Sequence, residues 1–106
     1  MYVMLFKQYL VKTILNGTKT ETRRLWKRRL VKVGGVYKAR TNFGNSSTFA
    51  TIKIIYIKSE KLGAIDGYGI KKEGCRSLDE FKKIWIDSYG SWQPSAEVFV
   101  IGFQVI

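Results

Sequence analysis

The sequence predicts a small α+β domain, a mixed sheet of about five strands curled towards a barrel with two to three helices packed on it. Three observations carry this expectation. Of 106 residues, 45% are hydrophobic and 14% aromatic, enough for one core and too many for a disordered chain. Runs rich in β-branched and aromatic residues recur between short turn signals. Two stretches switch to a helical period. At this length a single domain over residues 1–106 is expected.

Tyr2 to Phe6 reads as a short buried strand. Gln8 to Asn16 then reads as a helix, with Leu10, Val11, Ile14 and Leu15 on one face. Gly17 is placed to end it in the left-handed conformation. Thr18 to Arg24 has strand propensity through its threonines, and Leu25 to Val33 reads as a basic extended loop. Gly34-Gly35 marks a turn, Val36 to Thr41 a strand, and Asn42 to Ser47 a loop or hairpin turn. Phe49 to Lys58 is the clearest strand. Gly63, Gly67 and Gly69 disfavour a helix through residues 62–72 and leave room for a short one around Ile70 to Glu73. Ser77 and Glu80 form a capping box, Leu78, Phe81, Ile84, Trp85 and Tyr89 follow one face, and Gly90 supplies the stop. Val98 to Ile106 is a strand apolar enough that it must be central, or closed into a barrel, to escape edge pairing.

Composition narrows the chemistry. The chain has no histidine and one cysteine, Cys75, which removes His-based triads, most zinc sites and any internal disulfide. A lone thiol fits a reducing compartment, and no secretory signal is read at the N-terminus, so a cytoplasmic location is expected. No apolar run approaches the roughly 18 residues of a membrane span, so no membrane partner is expected. No metal site and no cofactor is implied, since the acids lack metal-ligand spacing and there is no phosphate-binding glycine loop.

The net charge is +11 and it is one-sided. Residues 1–58 hold 13 Lys and Arg against one acid, Glu21, while residues 59–106 hold 6 against 7. A basic half of this kind points to a polyanion, with RNA or DNA first and an anionic surface second. Arg23, Arg24, Lys27, Arg28, Arg29 and Lys32 form its densest cluster, with Trp26 inside it. Arginine binds phosphate bidentately. Trp26 and Trp92, flanked by basic and polar residues, are the candidates for stacking on an unpaired base, with core packing as the alternative. Tyr37 and Phe43 are further aromatics in polar surroundings, and Trp85 belongs to the core.

The run Ile14-Leu15-Asn16-Gly17-Thr18-Lys19-Thr20-Glu21-Thr22-Arg23-Arg24 resembles the helix-end signature of ASCH domains, a branch of the PUA-like superfamily of RNA-associated β-barrels. Glu73-Gly74, followed by Ser77 and Glu80-Phe81, resembles the family's Glu-Gly segment before its long helix, and Glu97 to Phe103 its last strand. Arg23-Arg24-Leu25-Trp26 and the basic loop look most like small archaeal members. The resemblance implies a PUA-like barrel that takes RNA or a modified nucleotide into a basic cleft at Lys19, Thr22 and Arg24. Some bacterial members remove the acyl group from N4-acetylcytidine, which would make Lys19, Thr22 and Glu73 catalytic. Lys19 would then be the base, its neutral form favoured by Arg23 and Arg24. A ribonuclease or a basic adaptor for a protein partner are further alternatives. In a regular strand Lys19 and Thr22 would point to opposite faces, so a shared cleft requires the chain to turn between Gly17 and Thr22.

Overall fold

The computed structural model describes residues 2–106. Its elements are β1 (Met4–Leu5), α1 (Val11–Leu15), β2 (Glu21–Arg24), β3 (Val36–Arg40), β4 (Thr48–Lys61), α2 (Gly67–Lys72), α3 (Leu78–Tyr89) and β5 (Glu97–Val105). The strands form one five-stranded sheet in the order β1-β3-β4-β5-β2. β1 runs parallel to β3, and the other pairs are antiparallel. The sheet curls into a half-barrel with the helices packed on it, as the composition predicts.

The two edges of this sheet, β1 and β2, approach each other. Nη2 of Arg24 donates to the carbonyl of Leu5 at 2.7 Å, and the rings of Tyr2 and Trp26 meet edge-on at 5.7 Å. One side chain thus stitches edges that would otherwise offer unpaired backbone. The last strand is interior, between β4 and β2, and is buried over Val98, Val100, Ile101, Gly102 and Phe103. Ile101 and Phe103 join Met4, Phe6, Ile14, Ile52 and Ile54 in the main core. Val98 packs with Leu62, Phe81 and Trp85 under α3.

Local signals explain most element ends. Gly17 leaves α1 at φ +82° and Gly90 ends α3 at φ +88°. The Ser77 hydroxyl accepts from the Glu80 amide at 3.1 Å, while the Glu80 carboxylate turns back to the amide of Arg76 rather than of Ser77. Several boundaries differ from expectation. α2 starts at Gly67, because Asp66 accepts from the Gly69 amide at 2.8 Å and caps it. β4 continues past Lys58 to Lys61, held throughout by β5. The helix before Gly17 opens as a 3-10 turn, Gln8–Leu10, and of its apolar face only Ile14 is buried. No helix among the described residues is long and apolar enough to cross a membrane.

Candidate functional site

β2 begins only at Glu21. Before it, the chain is held away from strand geometry: the Lys19 amide donates to Thr13 O and the Thr20 amide to Lys72 O. This is the turn that a shared cleft requires. Lys19, Thr22, Arg24 and Glu73 all line one cavity of about 250 Å³ between the β1 end, β2 and α3. The rest of its lining is largely apolar, with Leu5, Phe6, Phe81, Ile84, Trp85 and Tyr89, and also includes Lys7, Arg23 and Ser88.

Glu73 is the C-cap of α2, and Gly74 follows it at φ +83°. A Cβ on Gly74 would sit 3.1 Å from Lys19 Cβ, so this turn presses the Glu73 backbone against Lys19. Lys19 is 3% exposed. Its Nζ donates to Glu73 Oε1 at 2.6 Å, to Glu21 O at 2.8 Å and to Glu73 O at 3.3 Å. All three donor positions are committed to acceptors, one of them a carboxylate. A lysine acting as base needs its Nζ lone pair aimed at the substrate, and here Nζ points at three protein acceptors.

Arg23 and Arg24, adjacent in sequence, part company. Arg23 is 5% exposed and lines the cavity wall, so it is not part of the exposed basic cluster expected to meet nucleic acid. Its Nη1 donates to Glu21 Oε1 and Glu73 Oε2, each at 3.1 Å, and its Nε to Glu60 Oε2 at 3.2 Å. Burial works against this charge, but Glu73, Glu60 and Glu21 outweigh it and hold the guanidinium above its ordinary value. The fit depends on Gly69, where a Cβ would lie 2.7 Å from Arg23 Nη2.

The carboxylate of Glu21, 1% exposed, is shared between Arg23 and the hydroxyl of Tyr56. Tyr56 on β4 reaches it across β5 because Gly102 stands between them, paired with both Glu21 and Tyr56. A Cβ at Gly102 would collide with the tyrosine ring. Burial and donation to Glu21 push the Tyr56 phenol far above its ordinary value. Glu60, Tyr56 and Gly102 were not singled out from the sequence, and Glu21 and Gly69 were noted only as a lone acid and a helix breaker. Their association is long-range, and the only local hint was an acid standing alone in a basic half.

Arg24 is half-buried and faces the cavity. Its Nε donates to Thr22 Oγ1 at 3.0 Å and its Nη2 to Leu5 O, and its guanidinium stacks 4.9 Å from the Phe6 ring. Burial lowers its affinity for the proton relative to a free guanidinium. Because Thr22 Oγ1 accepts from Arg24, its own proton is left to be donated elsewhere. Nη1 of Arg24 has no hydrogen-bond partner among the described residues.

The remaining expected residues fall into two groups. Lys27, Arg28, Arg29 and Lys32 are exposed on the loop that leaves β2, and none forms an ion pair among the described residues. Trp26 and Trp92 are packed instead of presented, which corrects the stacking expectation. Trp26 lies between Tyr2 and Phe99 at centroid distances of 5.7 and 6.1 Å. Trp92 abuts Phe81 at 6.0 Å and is covered by Lys82. Trp85 is in the core as expected, with Tyr89 stacked on it at 4.3 Å. Cys75 is buried, which pushes its thiol up to about 11 and marks it as inert at neutral pH. Among the described residues no group of three or more His, Cys, Asp or Glu is placed to hold a metal ion.

No family model matches the chain, and no curated protein sequence matches it either. Solved structures do. A DUF984 protein of Enterococcus faecalis superposes with a TM-score of 0.74 at 19% identity, over 100% of this chain and 76% of its own. An ASCH domain of Lactobacillus crispatus gives 0.69 at 12% identity, over 98% and 77%. The ASCH protein of Zymomonas mobilis gives 0.66 at 15% identity, over 98% and 68%. The chain has the ASCH-type, PUA-like fold.

Proposed function

We propose that this chain binds a nucleobase-bearing ligand, a modified nucleotide or a base of single-stranded RNA, in the cavity beneath α3. The observation that carries this reading is the convergence of Lys19, Thr22, Arg24 and Glu73 on one cavity whose other lining is largely apolar and partly aromatic. A planar ring gains dispersion contact from such walls, while a few fixed polar groups set its orientation. Thr22 offers a donor, Arg24 offers its unpartnered Nη1, and Glu73 offers the remaining lone pairs of a carboxylate held by Lys19 and Arg23. The exposed cations of the loop begin at the rim, where the Leu25 amide donates to the Tyr89 hydroxyl at 3.4 Å, and would meet flanking phosphates. Calorimetric titration with cytidine, uridine, N4-acetylcytidine and a short RNA checks this. Binding of at least one is expected, weakened about tenfold or more in Thr22→Val, which keeps shape and removes the hydroxyl. Absence of binding to every one of them overturns the reading.

A second reading, amide hydrolysis at the same site, is favoured by one observation: Lys19 Nζ lies 2.6 Å from Glu73 Oε1 in the cavity that Thr22 lines. With Lys19 Nζ directed at three protein acceptors, Glu73 is the group suited to accept a proton from the attacking Thr22 hydroxyl or a water. Lys19 then supplies positive charge for the developing oxyanion and a proton for the leaving amine. Acetate release from N4-acetylcytidine, lost in Lys19→Met and Thr22→Val, supports this. No product with the parent protein removes it and leaves the binding reading in place.

A further inference from the structure

The outer face of β3 and β4 contributes nothing to the cavity. Directly opposed residues of an antiparallel pair share a face, so the register identifies its members. Val36 opposes Lys53, Lys38 opposes Thr51, and beyond a bulge Arg40 opposes Thr48. Gln104 of β5 continues the row from Lys53. The alternating residues Ala39, Ile52 and Ile54 turn inward and are fully buried. Lys38 and Lys53 are therefore diagonal neighbours, about 7–8 Å apart in such a pair.

These cations have only neutral partners. Lys38 Nζ donates to Thr51 Oγ1 at 3.2 Å. Arg40 donates to Thr48 Oγ1 at 2.8 Å and to Phe43 O at 3.3 Å. No carboxylate of the first half of the chain is at the surface to neutralise them, because Glu21, its single acid, is 1% exposed and consumed inside. A second observation comes from the β3–β4 hairpin. Phe43 at its tip is 79% exposed, yet the tip is well tied: the Gly44 amide donates to Asn42 Oδ1 at 2.8 Å, and Ser47 Oγ donates to Asn42 O at 2.9 Å. An aromatic ring is thus held out in water, on an ordered turn, beside an arginine.

We infer that this face, with Phe43 at its end, is a second binding surface, and that its occupant is single-stranded nucleic acid. Lys38, Arg40 and Lys53 meet successive phosphates, and Phe43 stacks on an unpaired base. The charge pattern selects a polyanion. The free ring selects one with open base faces, which a duplex keeps stacked internally. The surface shares no residue with the cavity, so the two can be separated by experiment.

The test is fluorescence anisotropy of a labelled 12-nucleotide oligouridylate over a range of salt, with circular dichroism confirming that each variant is folded. Lys38→Gln with Lys53→Gln should flatten the dependence of log K on log salt by about 0.7 per lysine. Phe43→Ala should weaken binding about fivefold or more at fixed salt and leave that slope unchanged. Lys71→Gln with Lys83→Gln, exposed lysines on α2 and α3, should change neither. Parent-like affinity and slope in the face variants overturn the proposal, as does an equal effect in the α2/α3 control. Nucleoside titration keeps this separate from the cavity. RNA binding that depends on the face, with no nucleoside bound, sinks the cavity reading and sustains this one. Nucleoside binding alongside face variants that bind RNA like the parent does the reverse.

Discussion

The wall behind the cavity and the surface formed by the loop and the outer sheet both carry cations, in opposite circumstances. Behind the cavity, Lys19 and Arg23 are at most 5% exposed and are matched to Glu21, Glu60 and Glu73. On the surface, Lys27, Arg28, Arg29, Lys32, Lys38 and Lys53 are exposed and face no acid. The difference teaches that a basic residue's role is set by where the nearest carboxylate sits, not by its place in a basic run. The single acid of residues 1–58 lies among 13 cations and serves the inside, which leaves no exposed acid in that half of the chain. Charges of the first kind hold structure and are little screened by salt, whereas those of the second are available to a ligand and are screened strongly.

Breaking the buried side should have the largest effect. Arg23→Met leaves up to three carboxylates without their guanidinium and should cost about 3–5 kcal/mol in urea unfolding. A cost below 1 kcal/mol would mean that the buried network is no more important than a surface pair. Gly102→Ala follows, since its methyl group collides with the Tyr56 ring. About 1–3 kcal/mol is expected from such overpacking, with non-additivity against Tyr56→Phe because both act on Glu21. Ser77→Ala supplies a scale for an ordinary exposed hydrogen bond, about 1 kcal/mol for loss of the α3 cap. Neutralising Lys27, Arg28 and Arg29 to Gln should leave stability within about 0.5 kcal/mol per site while flattening the salt dependence of RNA binding. Cys75 should have no effect at neutral pH. Its thiol ionises at about 11 in the folded chain against 9.0 ordinarily. The unfolded chain therefore releases its proton first, and stability is full below about pH 9 and falls between about pH 9 and about 11. A native-state thiol that reacts at pH 8 as fast as an exposed one would contradict this placement.

The features legible in the sequence were those set within a few residues of themselves. Gly17, Gly90 and the Ser77 cap announced their elements because left-handed turns and caps are local chemistry. The apolar density of residues 98–106 announced an interior strand. Lys19, Thr22 and Glu73 were legible as a set only through resemblance to ASCH sequences. Their convergence rests on a tight turn at Gly74 that no periodicity encodes. Asp66 is not legible as a cap because the glycines around it argue against the very helix that it caps. Trp26 was read as presented because its neighbours in sequence are basic. Its neighbours in space, Tyr2 and Phe99, come from β1's approach and from β5, and a linear reading does not place either beside it. For the same reason Phe43, the ring that is exposed, ranked below Trp26 and Trp92.

The bond from Arg24 to Leu5 has a mechanical consequence. The same guanidinium orients Thr22, faces the cavity and clasps the two free edges of the sheet. A ligand that engages Nη1 can do so with the clasp shut, whereas one that draws Nη2 away must unfasten β1 from β2. Occupancy of the cavity and breathing of the barrel seam are therefore coupled through one planar group, and the amide-exchange rate along β1 becomes a gauge of which nitrogen a ligand takes.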